Sequence, residues 1–358
     1  MTTAERARAL AEAATGFPEL GPPTAEDLLE TLRLELGDAE ALDRFCSYGK
    51  NLAIAVAPER MLHIVSGNTP HAAFQTMLRG LLLGAMNWVK FPSERIECLE
   101  DFGSRLPPGL RERLVIQRTL PGEWIAEADA WVVYGSDATV AHFRALCPPG
   151  RIFQAHGHRV GIGVIFEDGG PEVLQAAACD VALFDQLGCL SAQVVYVAGD
   201  AVESAQRLGE ALEEFTRLHP PEEIPLGARE AIASVRELAR FDEARGTGVQ
   251  LFASSDSLTW TVIHDPDPSF RFSPGFRVVF VKPVPPDWMA ALAPVRGQIG
   301  AIGIHPGDSR KVAELVRLRP SRICPLGRMQ DPPFAWHAEG RPNLGDLVHW
   351  VDFERGAC

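Results

Sequence analysis

The sequence lacks the short patterns that most often identify a metal site or a dinucleotide site. It contains no Cys-x-x-Cys pair and no Gly-x-Gly-x-x-Gly. Its seven cysteines are odd in number and stand at positions 46, 98, 147, 179, 189, 324 and 358. This distribution argues against both a disulfide framework and a structural zinc site. We therefore expect reduced thiols and no bound metal.

Long apolar runs are also missing. Residues 1–15, MTTAERARALAEAAT, mix charge with alanine and have no apolar centre of the kind that a secretory signal needs. The apolar run Leu62–Leu78 is interrupted by Gly67 and Pro70, so it cannot form a membrane span. These absences predict a cytoplasmic protein without a membrane span.

Basic residues are outnumbered by acidic ones. The chain has 34 Lys and Arg against 47 Asp and Glu, which gives a formal net charge of -13 at pH 7. This charge opposes non-specific binding to nucleic acid or to an anionic membrane, so we predict no nucleic-acid partner. A ligand that carries phosphate must meet a local positive site. With 358 residues, 46% of them hydrophobic, the chain is long enough for two domains with separate cores.

One cysteine, Cys189, stands between a short apolar segment and a strand-like run. The text Phe184-Asp185-Gln186-Leu187-Gly188-Cys189-Leu190-Ser191 is followed by Gln193 and by Val194-Val195-Tyr196-Val197. Gly188 lets the backbone turn just before the thiol, and the run that follows predicts a buried strand. A cysteine in this setting can be held rigidly at a crevice. The alternative is a buried structural thiol, since free cysteine is among the most buried residue types.

A polar candidate, Asn68, lies between a strand and a helix. Residues 61–65 form an apolar strand, Ser66-Gly67-Asn68-Thr69-Pro70 a turn, and residues 71–84 have helical periodicity. This order places the Asn68 side chain at the carboxyl end of a sheet, where ligands bind in open α/β folds. The alternative is an ordinary turn built on Asn-Thr-Pro.

Two further strands end in residues suited to a dinucleotide. Residues 87–90 form a strand that ends in Lys90 and leads to a helix start at Ser93, and residues 131–134 turn through Gly135 and Ser136 into another helix. Helix N-termini favour bound phosphate. The alternation of strands and helices over residues 61–154 predicts parallel βαβ units and a nucleotide-binding domain. For Lys90 the alternative is a solvated lysine at a strand end.

These segments together resemble the acyl-CoA reductase (LuxC-type) branch of the aldehyde dehydrogenase superfamily. The likeness runs from about Met61 to Glu354 and includes Phe-x-x-x-Gly-Cys ahead of a strand. It implies an α/β, aldehyde dehydrogenase-like fold, with a Rossmann-type cofactor domain and an α/β catalytic domain that carries the cysteine. The implied activity is reduction of an acyl-CoA or acyl-protein thioester to the aldehyde with NADPH, NADH being the alternative cofactor.

The resemblance also assigns roles to individual residues. The catalytic set comprises Cys189 as nucleophile, Asn68 as oxyanion donor and His156 as a candidate proton donor. The cofactor-binding set comprises Lys90, Glu94, Gly135 and Ser136. Within this set the Glu94 carboxylate would repel a 2′-phosphate, whereas the family resemblance points to NADPH.

The segment Ala155-His156-Gly157-His158 lacks the glutamate that activates water in hydrolytic aldehyde dehydrogenases. In this chain Ala155 or His156 stands at that position. The absence of the glutamate fits a reductase, because an enzyme that passes its acyl group to hydride has no use for the base. The text Arg271-Phe272-Ser273-Pro274-Gly275-Phe276 likewise lacks the glutamate that braces the nicotinamide ribose. His156 and His158 have no third ligand nearby, so a structural role is expected instead of a metal site.

The expected organisation has four parts. These are an N-terminal arm (1–22), a nicotinamide dinucleotide-binding domain (23–158), a catalytic cysteine domain (159–330) and a tail (331–358) that packs back on the first domain or on an oligomer partner. Two functional alternatives stay open: an aldehyde dehydrogenase that oxidises an aldehyde to an acid, and a non-catalytic acyl-binding or acyl-relay subunit. The expected partners are acyl-CoA or an acylated protein, with a second copy of the chain as a further candidate.

Overall fold

The computed structural model describes residues 1–67, 70–92, 96–255 and 257–354. These residues fall into two compact units. The first unit comprises Met1–His158 together with residues 333–354, and the second comprises Arg159–Pro332. Both contain helices and parallel strands, which confirms the predicted α/β class. Among the described helices, none combines the length and the apolar character that crossing a membrane requires.

The first unit starts with alternating helices and strands. Its helices are α1 (Thr3–Ala14), α2 (Ala25–Leu36), α3 (Pro70–Leu83), α4 (Glu97–Arg105), α5 (Pro108–Arg111), α6 (Gly122–Glu127) and α7 (Asp137–Leu146). Its strands over the same stretch are β1 (Cys46–Tyr48), β2 (Asn51–Val56), β3 (Arg60–Ile64), β4 (Met86–Lys90), β5 (Leu114–Gln117), β6 (Ala130–Tyr134) and β7 (Ile152–His156).

Residues 1–22, which the sequence analysis assigns to an N-terminal arm, belong to the first unit and include helix α1. Helix α1 begins with a capping box in which the Thr2 side chain accepts from the Glu5 N–H and the Glu5 carboxylate accepts from the Thr2 N–H. Ala7, Leu10 and Ala14 are fully buried on one face of this helix. Small alanine side chains let a helix approach its neighbours closely, and α1 packs against α2 and α3. Charged residues alternate with these buried residues along the sequence and lie on the other faces of α1. The buried face is therefore difficult to recognise from the sequence.

Five parallel strands form the main sheet of the first unit, in the order β5-β4-β3-β6-β7. The chain enters this sheet at the central strand β3 and continues outward through β4 to the edge strand β5. It then crosses to the other side of β3, where it forms β6 and β7. The strand order therefore reverses between β3 and β6. In open α/β sheets a ligand binds at this point, outside the carboxyl ends of the two strands.

The second unit is built on a seven-stranded sheet with the order β10-β11-β12-β9-β8-β13-β14. All neighbours are parallel except β10 and β11. The strands are β8 (Val160–Ile165), β9 (Ala192–Val197), β10 (Gln250–Ala253), β11 (Thr261–His264), β12 (Val278–Pro283), β13 (Ile299–His305) and β14 (Arg322–Pro325). The helices are α8 (Pro171–Ala182), α9 (Ala201–Leu218), α10 (Leu226–Ala244), α11 (Trp288–Ala291) and α12 (Ser309–Val316).

The chain then returns to the first unit. Strand β15 (His349–Phe353) pairs antiparallel with β2, which also pairs with β1 in a small three-stranded sheet. Just before it, the Glu35 carboxylate accepts hydrogen bonds from the backbone N–H groups of Asn343, Leu344 and Gly345. One acidic side chain on α2 thus fixes a segment that is more than three hundred positions away in the sequence.

A buried histidine joins three elements of the first unit. His63 on β3 has no exposed surface; its Nε2 lies 2.8 Å from Asn87 Oδ1 and its Nδ1 lies 2.8 Å from Thr76 Oγ1. The Asn87 amide nitrogen donates to the Ala85 carbonyl, so its oxygen faces His63 as an acceptor. Nε2 therefore carries the proton of a neutral ring, and the Thr76 hydroxyl donates to Nδ1. Burial disfavours the charged ring and lowers the pKa of His63 to about 4.

We predict that His63 makes the first unit sensitive to acid. The pKa of His63 is lower in the folded state than its ordinary 6.5, so unfolding takes up a proton between pH 6.5 and pH 4. The stabilising effect is complete above pH 6.5 and is lost as the pH falls toward 4. One group with this shift accounts for about 3 kcal/mol of the free energy of unfolding.

Urea unfolding of the wild type and of His63→Gln at a series of pH values checks this prediction. The variant should be less stable at pH 7 and should lose most of the dependence on pH below 6.5. The exposed His142→Gln is the matched control and should retain the wild-type dependence. An unchanged pH dependence in His63→Gln would show that other groups cause the acid sensitivity.

Candidate active site

The segment that leads to Cys189 has an unusual backbone. After α8, a short 3-10 turn at Leu183–Gln186 contains Phe184, Asp185 and Gln186 with φ values of 56°, 51° and 62°. Non-glycine residues in this left-handed region each cost about 1 kcal/mol or more, and they persist only where the surroundings hold them. None of the three is glycine, so side-chain contacts must maintain the turn.

The buried Gln186 side chain is the main brace of this turn. Its Nε2 donates to the carbonyls of Ala192 and Val278, at 2.8 Å each. Its Oε1 accepts from the Val278 N–H at 2.9 Å and from the Ser273 hydroxyl at 3.2 Å. Ala192 begins β9 and Val278 begins β12, so one amide side chain ties the turn to the starts of two parallel strands.

A second brace comes from the loop before β12. The Arg277 guanidinium lies 2.6 Å from the Asp185 carboxylate, and the side chains are only 4% and 15% exposed. The Phe276 N–H donates to the Asp185 carbonyl at 3.0 Å. Phe276 and Arg277 are also left-handed, with φ values of 53° and 62°. Two irregular loops that are about ninety residues apart in the sequence therefore hold each other in place.

Cys189 follows this braced turn and precedes β9. It is exposed, whereas Cys179 on α8 is half-buried. Desolvation by the surrounding protein raises the pKa of the Cys189 thiol, while a backbone hydrogen bond within the residue and the charge of Arg159 act to lower it. Burial also raises the pKa of Cys179. Of the two residues Cys189 is the more exposed, and a nucleophile must be able to reach a bulky acyl carbonyl.

Arg159, which immediately precedes β8, belongs to no motif that the sequence analysis identified. A Cβ placed on Gly300 would lie 3.1 Å from the Arg159 Cβ and 3.4 Å from the Cys189 carbonyl, so both residues border this glycine. Arg159 thus supplies positive charge near the thiol. The starts of β8, β9, β12 and β13 are neighbours in the sheet, and the cysteine turn lies at this amino edge and not at the carboxyl edge.

The candidate cofactor residues belong to the first unit. Lys90 is the last residue of β4, and Gly135 and Ser136 follow β6 at the point where the strand order reverses. The Ser136 hydroxyl caps α7 by accepting from the Thr139 N–H at 3.2 Å. A Cβ at Gly135 would lie 2.8 Å from the Thr139 side chain, so the backbone runs close against the helix start. These features fit a dinucleotide phosphate.

Two of the predicted residues, Asn68 and Glu94, lie outside the described residues. Their roles stay predictions. In the described neighbourhood, Ile64 ends β3 and Ser66 and Gly67 follow it at the carboxyl edge beside β6. The edge that the sequence assigns to Asn68 is therefore present.

His156 is buried at the end of β7. Its ring stacks on Tyr134 with centroids 4.2 Å apart, and its Nδ1 lies 3.8 Å from a Glu339 carboxylate oxygen. This neighbour could not be predicted from a local motif, because Glu339 is more than 180 positions away. The neighbouring Ala155 cannot supply the carboxylate that hydrolytic aldehyde dehydrogenases use to activate water. The Glu339 side chain does place a carboxylate near the end of β7. Across the described ranges no cluster of three or more His, Cys, Asp or Glu could hold a metal ion.

We predict that Gln186→Leu destabilises the second unit by roughly 2 to 4 kcal/mol, because the buried hydrogen bonds that the Gln186 amide makes with the Ala192 carbonyl and with the carbonyl and N–H of Val278 are lost. Urea unfolding measures the loss. The matched control is Gln206→Leu, which changes an exposed glutamine on α9 and should have little effect. Equal effects of the two substitutions would show that the turn does not depend on Gln186.

Known structures share the fold of this chain. Lactaldehyde dehydrogenase from Escherichia coli superposes with a TM-score of 0.67 at 14% identity, over 99% of this chain and 87% of that one. A putative methylmalonate-semialdehyde dehydrogenase from Sinorhizobium meliloti, solved with NAD, gives 0.65 at 14% identity, over 99% and 85%. These matches confirm the predicted aldehyde dehydrogenase-like fold.

A curated long-chain acyl-protein thioester reductase from Aliivibrio fischeri is 21% identical over 274 residues, which are 72% of this chain and 55% of that protein. The chain thus spans about half the length of this relative. The family model described as acyl-CoA reductase (LuxC) matches residues 24–350. Because that match covers most of the chain, the protein belongs to the acyl-CoA reductase (LuxC) family.

Proposed function

We propose that the protein reduces an acyl thioester, carried by CoA or by a protein, to the aldehyde through an acyl-Cys189 intermediate. NADPH is the proposed reductant and NADH the alternative. The observation that carries the proposal is an exposed cysteine at the end of a turn that two buried side chains, Gln186 and Arg277, hold in a left-handed conformation. Membership of the LuxC family supports the substrate class.

In the proposed first step the Cys189 thiolate attacks the thioester carbonyl. A new C–S bond forms, the original C–S bond breaks, and coenzyme A or the protein thiol leaves with its electron pair and takes up a proton. The Asn68 amide and the Cys189 backbone N–H are the proposed donors to the tetrahedral oxyanion. Each such donor is typically worth about 3 to 4 kcal/mol in the transition state. Arg159 would favour the thiolate over the thiol.

Lys90, Gly135 and Ser136 are proposed to hold the dinucleotide at the edge where β3 and β6 end, with Glu94 on its adenosine side. The start of α7 would face a phosphate with its free N–H groups. When bound, the nicotinamide would supply the hydride that converts the acyl group into an aldehyde. His156 remains the proposed proton donor, and its Nδ1 lies 3.8 Å from a Glu339 carboxylate oxygen.

A second candidate function is that of a non-catalytic acyl-relay subunit. It is favoured by the segment 271–276, which has no carboxylate for the nicotinamide ribose and whose Ser273 is already bonded to Gln186 and Gln193. Fluorescence titration with NADPH and NADH separates the two functions. Binding supports the reductase, and the absence of binding supports the relay. Oxidation of an aldehyde to an acid is less favoured, since Ala155 provides no base for water.

We predict that Cys189→Ala abolishes both acyl labelling and aldehyde formation. Mass spectrometry after brief incubation with a long-chain acyl-CoA, without cofactor, locates the adduct. Cys179→Ala is the matched control and should be acylated at the wild-type rate, because its thiol is not the exposed one. An adduct on Cys179, or on no cysteine, would disprove the mechanism.

We predict that Cys189 is acylated about a hundredfold more slowly in the Asn68→Ala variant, measured in the same assay, because the Asn68 amide is proposed to stabilise the oxyanion.

We also predict that the acyl-enzyme is long-lived when cofactor is withheld. General-base assistance is typically worth about a hundred- to ten-thousandfold in rate, and Ala155 supplies none. Chemical quench should therefore give an acyl-enzyme lifetime much longer than one turnover with NADPH. A lifetime equal to the turnover time would mean that water is activated. Glu339→Gln and His156→Ala would then show which of these two neighbours acts as the base.

A further inference from the structure

The stretch 326–331, which we name the return segment, runs from the end of β14 back across one face of the sheet of the second unit. Three glycines on the neighbouring strands make room for it. A Cβ on Gly163 would lie 3.3 Å from Leu326, and Cβ atoms on Gly303 and Gly161 would lie 2.7 and 2.8 Å from Met329. A larger residue at Gly303 would meet the Met329 side chain, and one at Gly161 would first meet the carbonyl oxygens of Leu190 and Ser191.

The return segment is also fixed by hydrogen bonds. The Asp180 carboxylate on α8 accepts from the N–H groups of Gly327 and Met329 at 2.6 and 2.9 Å. On the other side, the Arg322 guanidinium donates to three carbonyls of the segment, those of Arg328, Met329 and Asp331. Asp180 is 1% exposed and Met329 is fully buried. The backbone on both sides of Gln330 is therefore immobilised.

Gln330 reaches from this fixed backbone to the cysteine turn. Its amide nitrogen donates to the hydroxyl of Ser191, which is buried. Its amide oxygen would lie 2.8 Å from a Cβ on Gly188, so the side chain also packs directly on the Gly188 backbone. Gly188 immediately precedes Cys189, and Ser191 follows it by two positions. One side chain thus contacts the chain on both sides of the nucleophile.

We propose that Gln330 is a positioning residue for Cys189, which holds the thiol in the orientation that acyl transfer needs. Gln186 and Arg277 fix the start of the turn, whereas Gln330 fixes the part that carries the sulfur. A side chain at residue 188 would displace the Gln330 amide from its place on the turn. The proposal rests on the proposed function, because the role needs Cys189 to be the nucleophile.

The test compares two reactions of the same thiol. Alkylation by iodoacetamide needs an accessible thiolate but little orientation, whereas acylation by acyl-CoA needs the sulfur aligned with a bound carbonyl. Gln330→Met keeps the volume and removes the hydrogen bond to Ser191. We expect it to slow single-turnover acylation by about ten- to a hundredfold, the range for a misplaced reacting group. Alkylation at Cys189, followed by mass spectrometry, should stay within about threefold of the wild type.

Two further variants separate positioning from a loss of fold. Ser191→Ala should lower acylation to a similar extent, and the double variant with Gln330→Met should add little, because both remove the same contact. Gln330→Glu can still accept a hydrogen bond from the Ser191 hydroxyl, so it should recover part of the acylation rate. Its negative charge should also move the pH profile of alkylation to higher pH. The control Gln206→Met, on an exposed face of α9, should match the wild type throughout.

The outcomes are distinct. If the wild type is acylated at Cys189 and Gln330→Met is acylated equally fast, the positioning role is overturned. It is also overturned if alkylation and acylation fall together with the unfolding midpoint, because Gln330 would then be a structural residue only. If wild-type Cys189 is not acylated at all, the proposed function itself fails. Selective loss of acylation with retained alkylation supports the role.

Discussion

A run of left-handed residues ahead of Cys189 is the constraint on which the second unit's candidate site depends. Glycine would adopt this backbone without cost, but Phe184, Asp185 and Gln186 stand there instead. Their side chains supply what glycine could not, since Gln186 and Asp185 bond to the loop that starts β12. The residues that adopt the strained backbone are therefore the same residues whose side chains stabilise it. As a result, the backbone that carries the Cys189 thiol has little conformational freedom.

The same arrangement places the chemistry at the amino ends of parallel strands. In the first unit the candidate cofactor residues Gly135 and Ser136 follow the usual rule and lie where strands end. In the second unit Cys189 lies where β9 begins, and Arg159 lies where β8 begins. No helix of the described second unit starts at this turn to lower the thiol pKa, so the backbone hydrogen bond within Cys189 and the charge of Arg159 are what oppose desolvation.

Local signals in the sequence predicted most of the elements. The helix predicted over residues 71–84 is α3 (Pro70–Leu83), and the strand predicted over residues 131–134 is β6 (Ala130–Tyr134). The strands around Lys90, Gly135 and Cys189 were recognisable because each apolar run is bounded by its own turn. Contacts between distant residues could not be predicted in this way. Arg277, Gln330 and Glu339 carry no local motif, and their importance comes from partners 92, 139 and 183 positions away.

The chain crosses between the units twice, and this affects how the protein can be made. Residues 159–332 form one continuous stretch, so the second unit can fold on the ribosome as soon as it emerges. Synthesis of the first unit begins earlier, but this unit can complete its fold only later. The pairing partner of β2, which is β15, and the N–H groups of residues 343–345 that bond to Glu35 are synthesised after the second unit. Until then one edge of β2 and the Glu35 carboxylate lack the partners that they have in the folded protein. Synthesis of this protein therefore exposes its N-terminal half to chaperones and to aggregation for longer than its order along the chain suggests.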